Sequence, residues 1–297
     1  MPTYPVISTP PWHFRLAKWL IRNRIRGGFQ MIELAERMGW LDSDCRYKLS
    51  DQVSVDVPLY RRVNQLALPD LLAYERPLVK LLTDKINAFP QAATWIDCGA
   101  DIGILTALVA AGCRELKEII ALEPNSVPFP YLQRNLAQLP FAGRAIPSAA
   151  ADFCGRGTLA YSPKDPSDHS RFLAADEQGE LEVTRIDDLR IAPGQPVALK
   201  IDVEGGELAV LRGAQQTLAN ASAWVVAFEA HRDVVRRTGV DPCECIRFLA
   251  GIGGGQALVA ECPEIILDAE RTYYEQVDER ITNVVCVRAP VEEKLTQ

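Results

Sequence analysis

Past residue 90 the chain alternates between two periods. Short apolar runs rich in Val, Ile, Leu and Ala are separated by stretches in which apolar residues return every three or four positions. The runs predict strands over 93–98, 117–122, 144–149, 197–202, 223–229 and 281–287, and the second pattern predicts helices over 102–112, 126–137, 206–219 and 242–251. Such alternation predicts an α/β domain over 91–297, a mostly parallel sheet with helices on both faces. Right-handed crossovers bring the loops after successive strands to one edge, where ligands bind in folds of this kind. Residues 153–196 interrupt the pattern with Gly155, Gly157, Pro163, Pro166, Pro193 and Pro196. They predict a short hairpin, Thr158–Tyr161 against Leu181–Thr184, with a mobile loop between.

Residues 1–90 read as a mainly helical extension. Helices are expected over 12–26 and 29–39, separated by Gly27-Gly28, and over 71–86. Between them Val53, Val55 and Val57 alternate with polar residues, a strand or hairpin signal within 47–59. The extension reads as a cap or lid, or else as the surface of a homo-oligomer. Segment 12–26 sets Arg15, Lys18, Arg22, Arg24 and Arg26 among Trp12, Phe14, Leu16, Trp19, Leu20 and Ile25. Packing on the main domain is the first reading of such an amphipathic helix. Peripheral contact with an anionic membrane, or with an acidic partner, is the second.

Composition narrows the class. A net charge of -7 and a pI near 5.2 argue against nucleic acid as a general partner. The eight cysteines form no pair of CxxC knuckles and mostly sit beside apolar residues, as reduced, buried thiols do. Cys243 and Cys245 alone are close, a weak metal signal without a nearby histidine. No apolar run is long enough to cross a bilayer, and the N-terminus lacks a signal-peptide core, so a cytoplasmic protein is expected.

The chemistry concentrates in WIDCGADIGILTALVAAG, Trp95 to Gly112. A strand ends in Asp97, Gly99 permits a tight turn, Asp101 follows, and Gly103 lets a ligand approach the next helix. The GxDxG spacing is neither a GxGxxG dinucleotide loop nor a phosphate-cradling GxxxxGK[ST] loop. Glu123, ending the next strand, is placed to accept ribose hydroxyls, and Asp152 to receive an adenine amine. These residues point to an adenosine-like ligand and leave NAD open.

The same stretches resemble the FkbM-type methyltransferases. WIDCGADIGILTALVAAG is similar to the family's cofactor loop, and ALEPNSVPFPYLQRNL to its second segment, with Glu123 at the ribose position and Asn135 in the helix. AAADFCGRGTLAY resembles the segment that closes over adenine and places Asp152 there. TRIDDL, VALKIDVEGGELAVLRGAQQTL and WVVAFEAH complete a likeness running from Trp95 to His231. It implies the class I methyltransferase fold, Rossmann-like with a seven-stranded sheet. It also implies S-adenosylmethionine as donor, S-adenosylhomocysteine as product, and a hydroxyl on a sugar, glycolipid, polysaccharide or secondary metabolite as acceptor.

LKIDVEGGE sets Asp202 and Glu204 at the end of a central strand, with Lys200 expected to pair with an acid and Glu207 to cap the following helix. A hydroxyl is a weak nucleophile at neutral pH, so a base near its proton is expected. His231, after Glu229, has the right intrinsic acidity, and Glu229 would orient it or bind the acceptor; helix-start hydrogen bonding is the plainer role for His231. His13 and His169 have weaker claims. A divalent ion held by Asp202, Glu204 and Glu229 stays open. The candidate donor residues are therefore Asp97, Gly99, Asp101, Gly103, Glu123, Asp152 and Asp202, and the catalytic ones Asp202, Glu204, Glu229 and His231. Trp12, Trp19, Trp40, Tyr161, Tyr273 and Tyr274 are candidates for stacking on a small-molecule or glycan acceptor, ordinary packing being the plainer role for each. N-methylation of an amine, a catalytically silent nucleoside-binding scaffold, and, more distantly, an NAD-dependent oxidoreductase are the alternatives.

Overall fold

A computed structural model describes residues 6–59, 74–161 and 171–289 of the 297. The N-terminal part contains β1 (Val6–Ile7), the helices α1 (Trp12–Arg22) and α2 (Gly28–Arg37), and the hairpin β2 (Asp44–Lys48) with β3 (Ser54–Pro58). β1 pairs parallel with β2, and β2 antiparallel with β3. Helix α1 stops short of the expected residue 26, because Arg24 turns to φ 56° and Gly27 to φ 104°. The two helices meet at Gly28, where a Cβ would lie 2.6 Å from Ile21 Cγ1. Helix α3 (Arg76–Asn87) begins five residues later than its pattern predicts. Pro77 fits its first turn, where no N–H is needed. Residues 71–73 of that expectation lie outside the described residues.

The main sheet is built from β4 (Ala93–Cys98), β5 (Leu116–Leu122), β6 (Gly143–Ile146), β11 (Val197–Ile201), β12 (Trp224–His231), β13 (Ala257–Val259) and β14 (Ile281–Arg288). Its order is β13-β14-β12-β11-β4-β5-β6, with β14 antiparallel to both neighbours. The strand β13 is additional to those expected. Trp95 and Ile119 point to one core, which continues through Leu78, Val55 and Phe14 of the N-terminal part. Ile96, Leu199 and Phe228 point to the other, under α6 (Glu207–Arg212), α7 (Gln215–Asn220) and α9 (Pro242–Gly251). Strands buried on both faces explain the unbroken apolar runs.

Two expected elements are broken. Pro147 has no N–H for the ladder, so the run 144–149 leaves the main sheet after Ile146 and β7 (Ser148–Ala150) joins a second sheet. The helix expected over 206–219 divides at Gly213, whose Cβ would fall 2.0 Å from the Ala151 carbonyl oxygen. The second sheet also contains β8 (Gly155–Tyr161), β9 (Arg171–Ala175) and β10 (Leu181–Thr184), in the order β7-β10-β8-β9. The expected hairpin is therefore revised. β10 pairs with Gly155–Gly157, while Thr158–Tyr161 pairs with β9, a strand within the segment expected to be a loop. Cys154, just before β8, is exposed.

Strand order reverses beside β4. From it the chain builds outward through β5 and β6, then returns to add β11 and β12 on the other side. The turns after β4 and β11 thus face each other at the switch point.

Candidate active site

The turn after β4 is shaped by close contact with the turn after β11. Gly99 has φ 79°, and a Cβ on it would lie 1.9 Å from the Asp202 carbonyl oxygen. Asp202 N–H donates to the Cys98 carbonyl at 2.9 Å. Gly103, at φ 82°, leads into α4 (Ile104–Gly112). The helix therefore starts later than residue 102, since 99–103 are spent on the turn. Glu123 closes this loop from the end of β5: its carboxylate accepts from Asp101 N–H and from Asn125 N–H, each at 2.8 Å. Asp101 takes φ 49° to make the first of these bonds. Burial pushes Glu123 up to about 7 despite the two N–H donors. Each oxygen retains acceptor capacity beyond one hydrogen bond. From α5 (Phe129–Leu136), Asn135 donates to the Ile102 carbonyl at 2.8 Å and exchanges hydrogen bonds with the Asp56 backbone. The N-terminal hairpin thereby braces the loop.

Lys200, 6% exposed, lies at the centre of the edge. Its Nζ is 2.8 Å from Asp202 Oδ2 and 4.0 Å from Asp97 Oδ1. Burial works against the ammonium, but Asp202, Asp97 and Glu75 more than offset it and hold the pKa above its ordinary value. Asp97 Oδ2 accepts from Thr106 Oγ1 at 2.5 Å, whereas its buried Oδ1 has no hydrogen bond. Glu75, just before α3, is the carboxylate missing from the expected set. It stands at φ 42°, its Oε2 is buried without a hydrogen-bond partner, and burial raises its pKa while Lys200 opposes the rise.

Glu204, Glu229 and His231 form the other end of the site. Each offers a ligand atom within 4.8 Å of the others. Asp202 is instead held by Lys200, so a cation-binding set here would contain His231 in its place. Glu204 has φ 57°, and its carbonyl accepts from Arg237 at 2.6 Å. Burial, then repulsion from Asp202 and Glu204, pushes Glu229 up to about 9. Burial lowers His231, against the pull of Asp233, whose carboxylate is 3.7 Å from Nε2. His231 starts α8 (Arg232–Thr238) without a side-chain capping bond. Beyond Glu229 and His231 lies a small recess lined by Leu208, Phe228, Val234 and Val240. Glu207 faces inward as well, but accepts from Gly205 N–H at 2.9 Å and closes its own turn.

Residues 97–253 match the Methyltransferase FkbM domain family. That is more than half of the chain. The chain belongs to the FkbM methyltransferase family. The hexuronic acid methyltransferase AglP of Haloferax volcanii is 26% identical over 179 residues, covering 59% of this chain and 68% of AglP. Among solved structures, methyltransferase FkbM from Methylobacillus flagellatus KT is similar at 16% identity with a TM-score of 0.42, over 80% of this chain and 56% of that one. M. jannaschii TYW2 in complex with AdoMet gives 12% identity and a TM-score of 0.38, over 82% and 84%. Strand order and family membership make this a class I methyltransferase fold.

All the expected site residues lie within the FkbM match, whereas Glu75 lies before it. Asp152 stands apart from the others. It is exposed, its backbone runs against Gly213, and among the described residues its carboxylate bonds neither Glu123 nor the 99–103 turn. Tyr273 is core, bonded to Thr282 at 2.6 Å, and Tyr274 lies under Arg232, so both serve packing. Cys243 and Cys245 are buried free thiols in α9, and His169 lies outside the described residues.

Proposed function

We propose that this protein is an S-adenosylmethionine-dependent O-methyltransferase acting on a hydroxyl of a sugar or sugar-bearing acceptor. The observation that carries the reading is the pairing, across one switch point, of a ribose-type carboxylate with an uncapped, partly buried histidine. AglP, whose name gives a hexuronic acid as substrate, supports the acceptor class.

The residues fit the donor. Glu123 would receive the ribose hydroxyls, with its backbone N–H bonds fixing its aim. Gly99 and Gly103 set the shape of the turn, a Cβ at either meeting the Asp202 carbonyl oxygen or Leu132 Cδ1, and Asp152 would receive the adenine amine. Asp97, Asp202 and Glu75 gather around one lysine, and this carboxyl-rich edge would face the cationic end of the donor. S-adenosylmethionine supplies the methyl group and leaves as S-adenosylhomocysteine.

Glu229 and His231 divide the work on the acceptor. At neutral pH Glu229 retains its proton and can donate a hydrogen bond to an acceptor oxygen. His231 is neutral there and can accept a proton. The hydroxyl proton would pass to the His231 imidazole as the new O–C bond forms. Asp202 and Glu204 would hold neighbouring hydroxyls and align the attack.

Calorimetry with S-adenosylmethionine, S-adenosylhomocysteine and NAD on ligand-free protein tests the reading. Binding of both sulfur nucleosides but not NAD is expected, with a loss of about 100-fold in a folded Glu123→Ala variant. Absence of binding by folded protein would overturn the donor assignment, and unchanged affinity in the variant would overturn the ribose contact.

A further inference from the structure

Helix α1 presents three stripes. Phe14, Ala17 and Ile21 pack into the core beneath it. At 3.6 residues per turn, Trp12, Leu16 and Trp19 fall on the opposite side, where they are 67%, 39% and 55% exposed. A soluble helix would ordinarily carry polar residues there. Arg15, Lys18 and Arg22 fall between the two.

The exposure is local. Twelve large apolar side chains are exposed among the described residues, and eight of them lie between residues 12 and 40. Trp40 joins the group through His13, whose ring lies 5.3 Å from its own. Charge is segregated in the same place. Residues 12–26 contain five of the chain's 32 basic residues and none of its 39 acids, leaving the remainder with 12 more acids than bases. Arg15, Arg22, Arg24 and Arg26 are exposed, and among the described residues none of them meets a carboxylate.

We infer that this face docks on the headgroup region of a lipid bilayer containing anionic lipid. Tryptophan and arginine on one amphipathic helix match that environment, the indoles entering the boundary while the guanidiniums meet phosphates. The helix lies along the surface. Its 11 residues are too short to span, and no helix among the described residues is long and apolar enough to cross a membrane. The acidic remainder is repelled by the same lipids, which fixes the orientation of the protein on them. A second copy of the chain is the poorer occupant. A two-fold interface would set the arginine stripe against itself, whereas anionic lipid neutralises it. The inference stands on the N-terminal face alone and does not depend on the methyl-transfer reading.

Sedimentation of the full chain with vesicles tests it, using phosphatidylcholine alone or mixed with phosphatidylglycerol. Binding to the mixed vesicles alone is expected, weakened by high salt. Trp12→Ala with Trp19→Ala, and separately Arg22→Glu with Arg24→Glu, should each reduce partitioning about tenfold or more at unchanged melting temperature. The side chains replaced are exposed, so the fold should tolerate both pairs. Equal binding to the two vesicle types, or none to either, would overturn the proposal. So would light scattering that shows a dimer of the chain dissolved by the tryptophan changes.

Discussion

The two halves of the main sheet solve different problems at their shared edge. On the β4–β5 side, position is set by backbone. Glu123 is clamped by two N–H groups, and the turn it holds admits only glycine at residue 99. On the β11–β12 side, position is set by charge. Glu229 is crowded by Asp202 and Glu204, and His231 is left without a capping bond. A rigid backbone cradle suits a ligand that never varies. A crowd of carboxylates that keeps a proton on Glu229 suits one that must be met by a hydrogen-bond donor and give up a proton. The comparison teaches that shape and electrostatics have been assigned to opposite sides of one switch point.

The largest effect should come from Gly99→Ala. Its methyl would meet the Asp202 carbonyl oxygen at 1.9 Å and force the two turns apart. A loss of about 4 kcal/mol or more is expected in chemical denaturation. Near-native stability would show that the halves are not wedged together there. His231→Ala separates the halves functionally. Turnover on a verified acceptor should fall about 100-fold, while S-adenosylhomocysteine affinity stays within about threefold. Equal losses in both would erase the division. The smallest effect is a pH dependence of donor binding. Glu123 is raised to about 7, so acid puts a proton on one of the oxygens that the ribose hydroxyls would donate to. Affinity should rise with pH and level off above about 7, with up to about a tenfold fall per pH unit below it. A flat profile would mean that the protonated acid serves equally well.

Much of this was legible in the sequence where local pattern and tertiary role agree. The strand at Ala93–Cys98 and the helix at Pro242–Gly251 are where the periods place them, the latter started by the Asp241–Glu244 capping box and Pro242. The glycine turn and the acids at the strand ends follow from the same pattern. Contacts between distant segments were not legible. Nothing in SVDVP announces that its Asp56 backbone will bond Asn135, and nothing in YER announces that Glu75 will face Lys200. Strand β13, at three residues, is too short to show a period. Pro147 and Gly213 do leave a signal, a break in ladder or helix, yet only the structure shows what the chain does next.

The thiols carry a practical consequence. Six of the eight cysteines are buried, Cys262 is half covered, and Cys154 is exposed just before β8. It is two residues from Asp152 and within 2.9 Å of Asp188. A maleimide dye would accordingly find Cys154 first, with no need to engineer the chain. Fluorescence from that one position would follow movement of the segment between β7 and β8.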